Sequence, residues 1–215
     1  MNRPTILSVA LFLTAAQALA NGRATYERSV VTLVITAQTW DGSRPWAKRT
    51  PITRRGSAVV VATPRGPRIL TTAQMVAEAT LIQLETFGRD TEGTPQVALV
   101  DPTVDLALLS ADEKALRGIE PVGLADRTPT DGVLRTARWL DQQLETAASR
   151  IRHFQVEESY FGGLEHVFLL TQTDISGGGW AEPVFDGARL VGLTANQAER
   201  QRARIIPVEI LAAFI

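Results

Sequence analysis

Short apolar runs rich in valine, isoleucine, leucine and threonine recur along the chain, separated from one another by glycine, proline or aspartate. Runs of this kind are typical of the strands of a β-sandwich or β-barrel, and they form two groups of about six that divide near residue 127. The pattern therefore predicts an all-β fold. The predicted strands are residues 29–36, 57–62, 68–72, 80–87, 96–100 and 106–110, followed by 133–139, 149–156, 166–171, 183–185, 189–195 and 204–207.

Helical patterns are few. Residues 141–148 are compatible with either a helix or a long strand, and residues 208–214 predict a helix that closes the chain.

The first twenty residues have the features of an export signal. Arg3 precedes an apolar run over residues 6–16, and Ala18, Leu19 and Ala20 follow as a small-x-small cleavage pattern. The run is shorter than the roughly 20 apolar residues that a membrane-spanning helix needs. We therefore predict that residues 1–20 are a signal peptide and that the mature chain, from Asn21, is periplasmic or secreted. The alternative is an uncleaved N-terminal anchor.

Composition excludes several kinds of site. The chain has no cysteine, which rules out a disulfide framework, a thiol nucleophile and cysteine metal ligands. Its 22 basic and 23 acidic side chains nearly cancel, so its overall charge gives no reason to expect nucleic acid as a partner. The two histidines, His153 and His166, are not in an i, i+4 pattern, and we predict neither a metal site nor a cofactor.

Five blocks of sequence stand in a fixed order between residues 29 and 211. They are Gly56-Ser57-Ala58-Val59, the Ile-Leu-Thr-Thr-Ala-Gln-Met-Val of residues 69–76, the Asp-Pro-Thr-Val-Asp-Leu-Ala-Leu-Leu of residues 101–109, residues 172–183, and residues 186–193 with 205–208. Together they resemble the protease domain of the HtrA (Deg) family, trypsin-like serine proteases of the chymotrypsin fold. The resemblance implies two six-stranded antiparallel β-barrels, which we expect at residues 21–126 and 127–215, with no PDZ domain after them.

The same resemblance locates the three positions of a catalytic triad. Gln74 stands at the histidine position and Asp105 at the aspartate position. Counting back from Pro183 aligns residues 178–183 with the family's Gly-Asn-Ser-Gly-Gly-Pro, which places Trp180 at the serine position. Two of the three catalytic residues of the family are therefore replaced.

These replacements remove the chemistry of acyl transfer. A serine nucleophile needs an imidazole to take its proton and a carboxylate to orient that imidazole. The amide of Gln74 has no useful basicity, an indole cannot attack a carbonyl, and both histidines lie in the second half of the chain. Loss of a comparable triad lowers turnover by about a millionfold. We therefore predict no functional catalytic residues.

A displaced nucleophile is the alternative. Ser176 lies four residues before Trp180, beside three glycines. It would make the chain a divergent active serine endopeptidase, but no histidine or lysine stands near it in sequence to activate it. A serine among glycines is also what a tight or flexible loop ordinarily contains.

The two substituted positions each allow two interpretations. The side-chain amide of Gln74 could donate to the Asp105 carboxylate as a histidine N–H would, or Asp105 could cap a turn while Gln74 faces solvent. The indole of Trp180 could plug the cleft between the barrels or present an aromatic anchor to a partner.

Basic and aromatic side chains concentrate in residues 39–55, where Asp41 is the only acidic residue. This segment is the predicted partner-facing loop, for an acidic protein, an anionic lipid surface or a polyanion; a solvated hairpin is the plain alternative. The predicted partner-binding residues are Trp40, Arg44, Trp46, Lys48 and Arg49, with Trp180.

These observations together predict an exported, monomeric pseudoprotease that binds a protein or peptide in the cell envelope. It would act as a scaffold, a chaperone-like factor or a regulator, without hydrolysing peptide bonds. The competing interpretations are the divergent peptidase that uses Ser176 and a purely structural subunit of an envelope assembly.

Overall fold

A computed structural model describes residues 26–86, 91–158, 162–173, 180–198 and 201–215. In these ranges the chain is mostly β-structure, with two short helices, α1 (Ala73–Val76) and α2 (Val208–Phe214). None of the helices in the described part is both long and apolar enough to cross a membrane.

The first half of the chain forms an antiparallel sheet with the strand order β7-β6-β1-β4-β5-β9-β8. Its buried apolar side chains, most of them valine, leucine or isoleucine, form one continuous hydrophobic cluster. The strands are β1 (Val30–Ala37), β4 (Ile52–Thr63), β5 (Gly66–Thr71), β6 (Ala79–Thr86), β7 (Thr91–Gly93), β8 (Gln96–Asp101) and β9 (Leu106–Ser110). Between β1 and β4, the strands β2 (Trp40–Asp41) and β3 (Arg44–Lys48) form a separate two-stranded sheet.

The second half forms a closed six-stranded antiparallel barrel with the order β10-β11-β12-β15-β14-β13. Its strands are β10 (Val133–Leu140), β11 (Gln143–Glu158), β12 (Glu165–Thr173), β13 (Pro183–Asp186), β14 (Arg189–Ala198) and β15 (Arg202–Pro207).

The predicted fold class is confirmed, and each predicted strand corresponds to an observed one. The first sheet differs in detail, because the short strand β7 makes it seven-stranded and, within the described residues, its two edge strands are not paired with each other. Residues 141–148 form a turn followed by the start of strand β11, rather than a helix. Asp141 and Gln142 adopt positive φ angles of 47° and 64°, which form a tight turn from which β11 continues. The predicted closing helix is present as α2.

A hydrophobic cluster joins the two halves. It contains Val30 and Leu70 from the first sheet together with Phe185 and Leu193 from the barrel, all fully buried. The ring of Tyr26 stacks on that of Phe185 with 4.5 Å between centroids. The intervening segment is bonded to both halves, because Val122 pairs with Val61 and Leu124 pairs with Leu190. The two halves are therefore joined by apolar packing and by the backbone pairing of the connecting segment.

Candidate functional site

The short helix α1 brings residue 74 to the carboxylate of Asp105. Thr72 begins the helix, and its hydroxyl accepts a hydrogen bond from the N–H of Met75 at 3.3 Å. The N–H of Gln74 then donates to Oδ1 of Asp105 at 2.8 Å, and the N–H of Ala73 is a second donor. The two residues are therefore in contact, but the donor is the backbone of Gln74 rather than the side-chain amide that one of the two interpretations invoked.

Asp105 is a buried carboxylate. It is 4% exposed and adopts a φ of 54°, in the left-handed region, directly before β9. Burial raises the pKa of Asp105 to about 6, against the opposing effect of the hydrogen bonds from Gln74 and Ala73. The two backbone N–H groups therefore only partly offset the cost of burying this carboxylate.

Trp180 lies against the core of the first sheet. Its indole is partly buried and packs on the cluster that includes Val31, Leu33 and Met75. Its carbonyl accepts a hydrogen bond from the N–H of Ser57 at 2.9 Å. This geometry fits the plug interpretation, because the side chain is covered by the protein's own core.

Gly56 makes this approach possible. A Cβ atom on Gly56 would lie 2.7 Å from Cε of Met75 and 3.2 Å from the carbonyl oxygen of Trp180. A side chain at residue 56 would therefore require the end of the Met75 side chain to move and the Trp180 carbonyl to shift slightly.

Glu182, two residues after Trp180, forms a buried ion pair with Arg138. Glu182 is 3% exposed, and its Oε1 lies 3.2 Å from Nη1 of Arg138, which is itself 9% exposed. Arg138 also binds the half-exposed Glu145, with 2.7 Å from Nε to Oε2. The N–H of Glu182 donates to the hydroxyl of Thr194 at 2.8 Å, and the N–H of Thr194 donates to the carbonyl of Glu182 at 2.9 Å.

Sequence reasoning missed this network. The available signal was Glu182 itself, which stands where the resemblance has a glycine in its Gly-Asn-Ser-Gly-Gly-Pro segment. A carboxylate at that position needs a buried cation, and Arg138 on β10 supplies it.

The two histidines lie on β11 and β12, in the barrel. His153 is exposed and contacts Gln155 through Nε2 at 3.2 Å. The ring of His166 packs on that of Phe168 with 4.1 Å between centroids, and burial lowers the pKa of His166. Among the described residues, no group of three potential metal ligands comes together. Ser176 lies outside the described residues.

The predicted partner-binding residues occupy two different places. Trp180 lies on the first-sheet core, whereas the basic and aromatic residues are on or directly beside the β2–β3 hairpin. Trp40 and Trp46 are 58% and 80% exposed there.

An open cavity of about 520 Å³ lies elsewhere, beside the segment that connects the two halves. Residues 125–131, Asp186 and Arg189 line it, so its walls carry charges of both signs. Gln74, Asp105 and Trp180 are not part of this lining.

Asp105→Asn is expected to remove a pH dependence of stability. The ordinary aspartate pKa is 3.8 and the folded value is about 6. At pH values between these two pKa values the folded state binds more protons than the unfolded state. The free energy of unfolding therefore falls as the pH rises from about 4 to about 6. The full fall is at most about 3 kcal/mol. Urea unfolding across this range should show the fall in the wild type and not in the variant. Asp131→Asn, at an exposed aspartate, should retain it; equal behaviour of the two variants would contradict the assignment.

Glu182→Ala is expected to destabilise the protein by about 3 kcal/mol, because it leaves the buried Arg138 cation with only the half-exposed Glu145. Glu120→Ala removes one partner of an exposed pair with Arg28 and should cost less than about 1 kcal/mol. Urea unfolding of both variants at neutral pH measures the difference. Similar losses in the two would show that the Arg138 pair is as well solvated as the surface one.

No family model matches the chain, and no curated protein matches it by sequence. Solved structures do match in fold. The active form of the Rv3671c protease from M. tuberculosis aligns with a TM-score of 0.71 at 18% identity, covering 93% of this chain and 84% of that protein. Its inactive form aligns at 0.68 and 16% identity, with 93% of each chain covered. The HtrA-type protease AlgW with a decapeptide aligns at 0.67 and 19% identity, covering 90% of this chain and 65% of that one.

These alignments extend over nearly the whole described chain and include both the first sheet and the closed barrel. The chain therefore has the fold of a trypsin-like serine protease domain, as in HtrA-type proteases.

Proposed function

We propose that this chain is an exported pseudoprotease, which binds a protein or peptide through its protease-like fold and does not hydrolyse it. The observation that carries the proposal is the environment of Asp105. In a working triad the aspartate accepts a hydrogen bond from the imidazole that it orients. Here the donors to its carboxylate are the backbone N–H groups of Ala73 and Gln74.

The side chain at residue 74 supports the same conclusion. Gln74 is only partly buried and carries an amide, which cannot accept and return a proton at neutral pH. The histidines are on β11 and β12, and their described contacts are with Gln155 and Phe168. A proton acceptor for a hydroxyl nucleophile is therefore missing from the contacts of Asp105 that the structure describes.

Trp180 supports a role in binding rather than turnover. Its indole fills space beside α1, and its carbonyl is bonded to Ser57. The segment is further fixed by Glu182 and Arg138. The segment from Trp180 to Glu182 can therefore serve as a fixed binding surface, and the indole at residue 180 carries no hydroxyl that could act as a nucleophile.

The purified protein is expected to remain unlabelled by a fluorophosphonate probe and to leave casein intact, with an active trypsin-like protease as the positive control. Trp180→Ser should also stay unlabelled, because the new hydroxyl still lacks a base. Labelling of the wild type that disappears in Ser176→Ala would establish the divergent peptidase instead. Labelling of Trp180→Ser alone would show that a base other than a histidine at residue 74 is present.

Trp180→Ala is expected to lower the free energy of unfolding by about 2 kcal/mol, because it removes a partly buried indole from the first-sheet core. The matched variant Trp46→Ala removes an indole that is 80% exposed and should change stability by less than about 0.5 kcal/mol. Chemical denaturation compares the two. If Trp180→Ala is as harmless as Trp46→Ala, Trp180 is an exposed contact and not a plug.

A further inference from the structure

The hairpin formed by β2 and β3, with the adjoining Arg49, protrudes from the first sheet and is here named the tryptophan hairpin (residues 40–49). It forms a two-stranded sheet of its own. Its base is held by hydrogen bonds from the N–H of Gln38 to the carbonyl of Glu78 at 3.1 Å and from Nε2 of Gln38 to the carbonyl of Arg49 at 2.9 Å. The tip therefore extends from a fixed base.

Two indoles are exposed on this hairpin. Trp46 is 80% exposed and follows Pro45, while Trp40 is 58% exposed on the opposite strand. Trp40 is the register partner of Lys48, and Nζ of Lys48 lies 5.1 Å from the centre of the Trp40 ring. Trp46 is two residues before Lys48 on β3, in the stretch where the pairing of the two strands is irregular. The hairpin thus combines two exposed indoles with a cation.

The charges of the hairpin are also distinctive. It contains Arg44, Lys48 and Arg49 against a single carboxylate, Asp41, which gives it a net charge of +2. Asp41 is already engaged by Arg44, at 3.2 Å from Nε to Oδ2. Within the described part of the chain, the ion pairs include no carboxylate partner for Lys48 or Arg49.

The neighbouring arginines behave differently. Arg54 donates to the backbone carbonyls of Gln74 and Ala77, and Arg55 forms an ion pair with Glu85. The basic segment predicted from sequence therefore separates into a part used by the fold and a part, at the hairpin, whose cations are exposed.

We propose that the tryptophan hairpin binds the anionic headgroup region of a phospholipid membrane. Tryptophan is enriched at the boundary between headgroups and acyl chains, where its ring is partly apolar and its N–H is hydrated. Lysine and arginine beside it meet the negative surface, and each strengthens binding about fivefold. The long side chains of Lys48 and Arg49 can lie along the apolar layer while their charges stay among the headgroups.

The size of the hairpin favours a lipid surface over an acidic protein. A stable protein interface uses about 20–30 residues on each side, with the central aromatic residues enclosed by a rim of other contacts. The hairpin offers ten residues and stands apart as its own sheet. A membrane needs no complementary rim, because lipids rearrange around the inserted side chains. This inference is independent of the proposed loss of catalysis, since the hairpin does not include Gln74, Asp105 or Trp180.

The test measures binding of the full chain to vesicles of phosphatidylglycerol with phosphatidylcholine, and to vesicles of phosphatidylcholine alone. Binding is expected only to the anionic vesicles, and salt should weaken it. Lipids with brominated chains should quench part of the tryptophan fluorescence, and the quenched part should disappear in the Trp40→Phe, Trp46→Phe variant. Residues 1–25 contain no tryptophan, so this readout reports on the hairpin even if the N-terminal segment also binds lipid.

Charge variants provide the matched comparison. Lys48→Glu with Arg49→Glu should weaken binding at least tenfold, given about fivefold for each cation. Arg65→Glu with Arg117→Glu makes the same change in net charge at exposed positions of other loops and should have a much smaller effect. The Lys48→Gln, Arg49→Gln variant removes the same two charges without adding carboxylates. A thermal melt of each variant checks that it is folded.

Three results would overturn the proposal. The first is no binding to anionic vesicles, which would leave an acidic protein as the partner. The second is equal loss of binding in both pairs of charge variants, which indicates attraction by overall charge. The third is vesicle binding without quenching of Trp40 and Trp46.

Discussion

Hydrogen bonds that cross between the two halves of the molecule hold the segment at Trp180 against the first sheet. The N–H of Ser57, on β4, donates to the carbonyl of Trp180 at 2.9 Å, and Nε1 of Trp139 donates to the carbonyl of Val30 at 2.8 Å. The connecting segment adds a bond from the N–H of Val122 to the carbonyl of Val60 at 2.9 Å. Because the buried cluster around Phe185 is continuous across the same seam, sliding one half against the other would break apolar packing and hydrogen bonds together.

Two buried carboxylates lie near this seam and are stabilised in opposite ways. Asp105 relies on backbone N–H groups from α1, and burial still raises the pKa of its carboxyl group to about 6. Glu182 has a guanidinium partner in Arg138. The first arrangement leaves the carboxylate close to neutralisation at mildly acidic pH, whereas the second depends on retaining both partners. The stability that depends on Asp105 should therefore change with pH, whereas the stability that depends on Glu182 should change when either partner of the ion pair is removed.

The sequence predicted the strands well because each is a short apolar run that the hydrophobic effect buries on one face. A contact between Gln74 and Asp105 was one of the two alternatives that the sequence left open. The sequence did not predict that the bond would come from the backbone of Gln74, because this depends on Thr72 beginning a single turn of helix at that point. Arg138, on β10, and Glu182, directly before β13, are 44 positions apart, so the sequence shows an unusual carboxylate at residue 182 but not which cation binds it.

The tryptophan hairpin shows what such a rigid scaffold permits. An isolated two-stranded hairpin is at best marginally stable in water. Here its base is bonded through Gln38, and the Lys48–Trp40 and Arg44–Asp41 contacts hold its strands, so the tip can expose two of the chain's four tryptophans. Single exposed apolar residues are common on proteins, but two exposed indoles and a net charge of +2 on ten residues concentrate binding chemistry in one place. The hairpin lies between β1 and β4, and β4 also contains Ser57, whose N–H is bonded to the carbonyl of Trp180. The hairpin and the candidate site are therefore connected through one continuous strand.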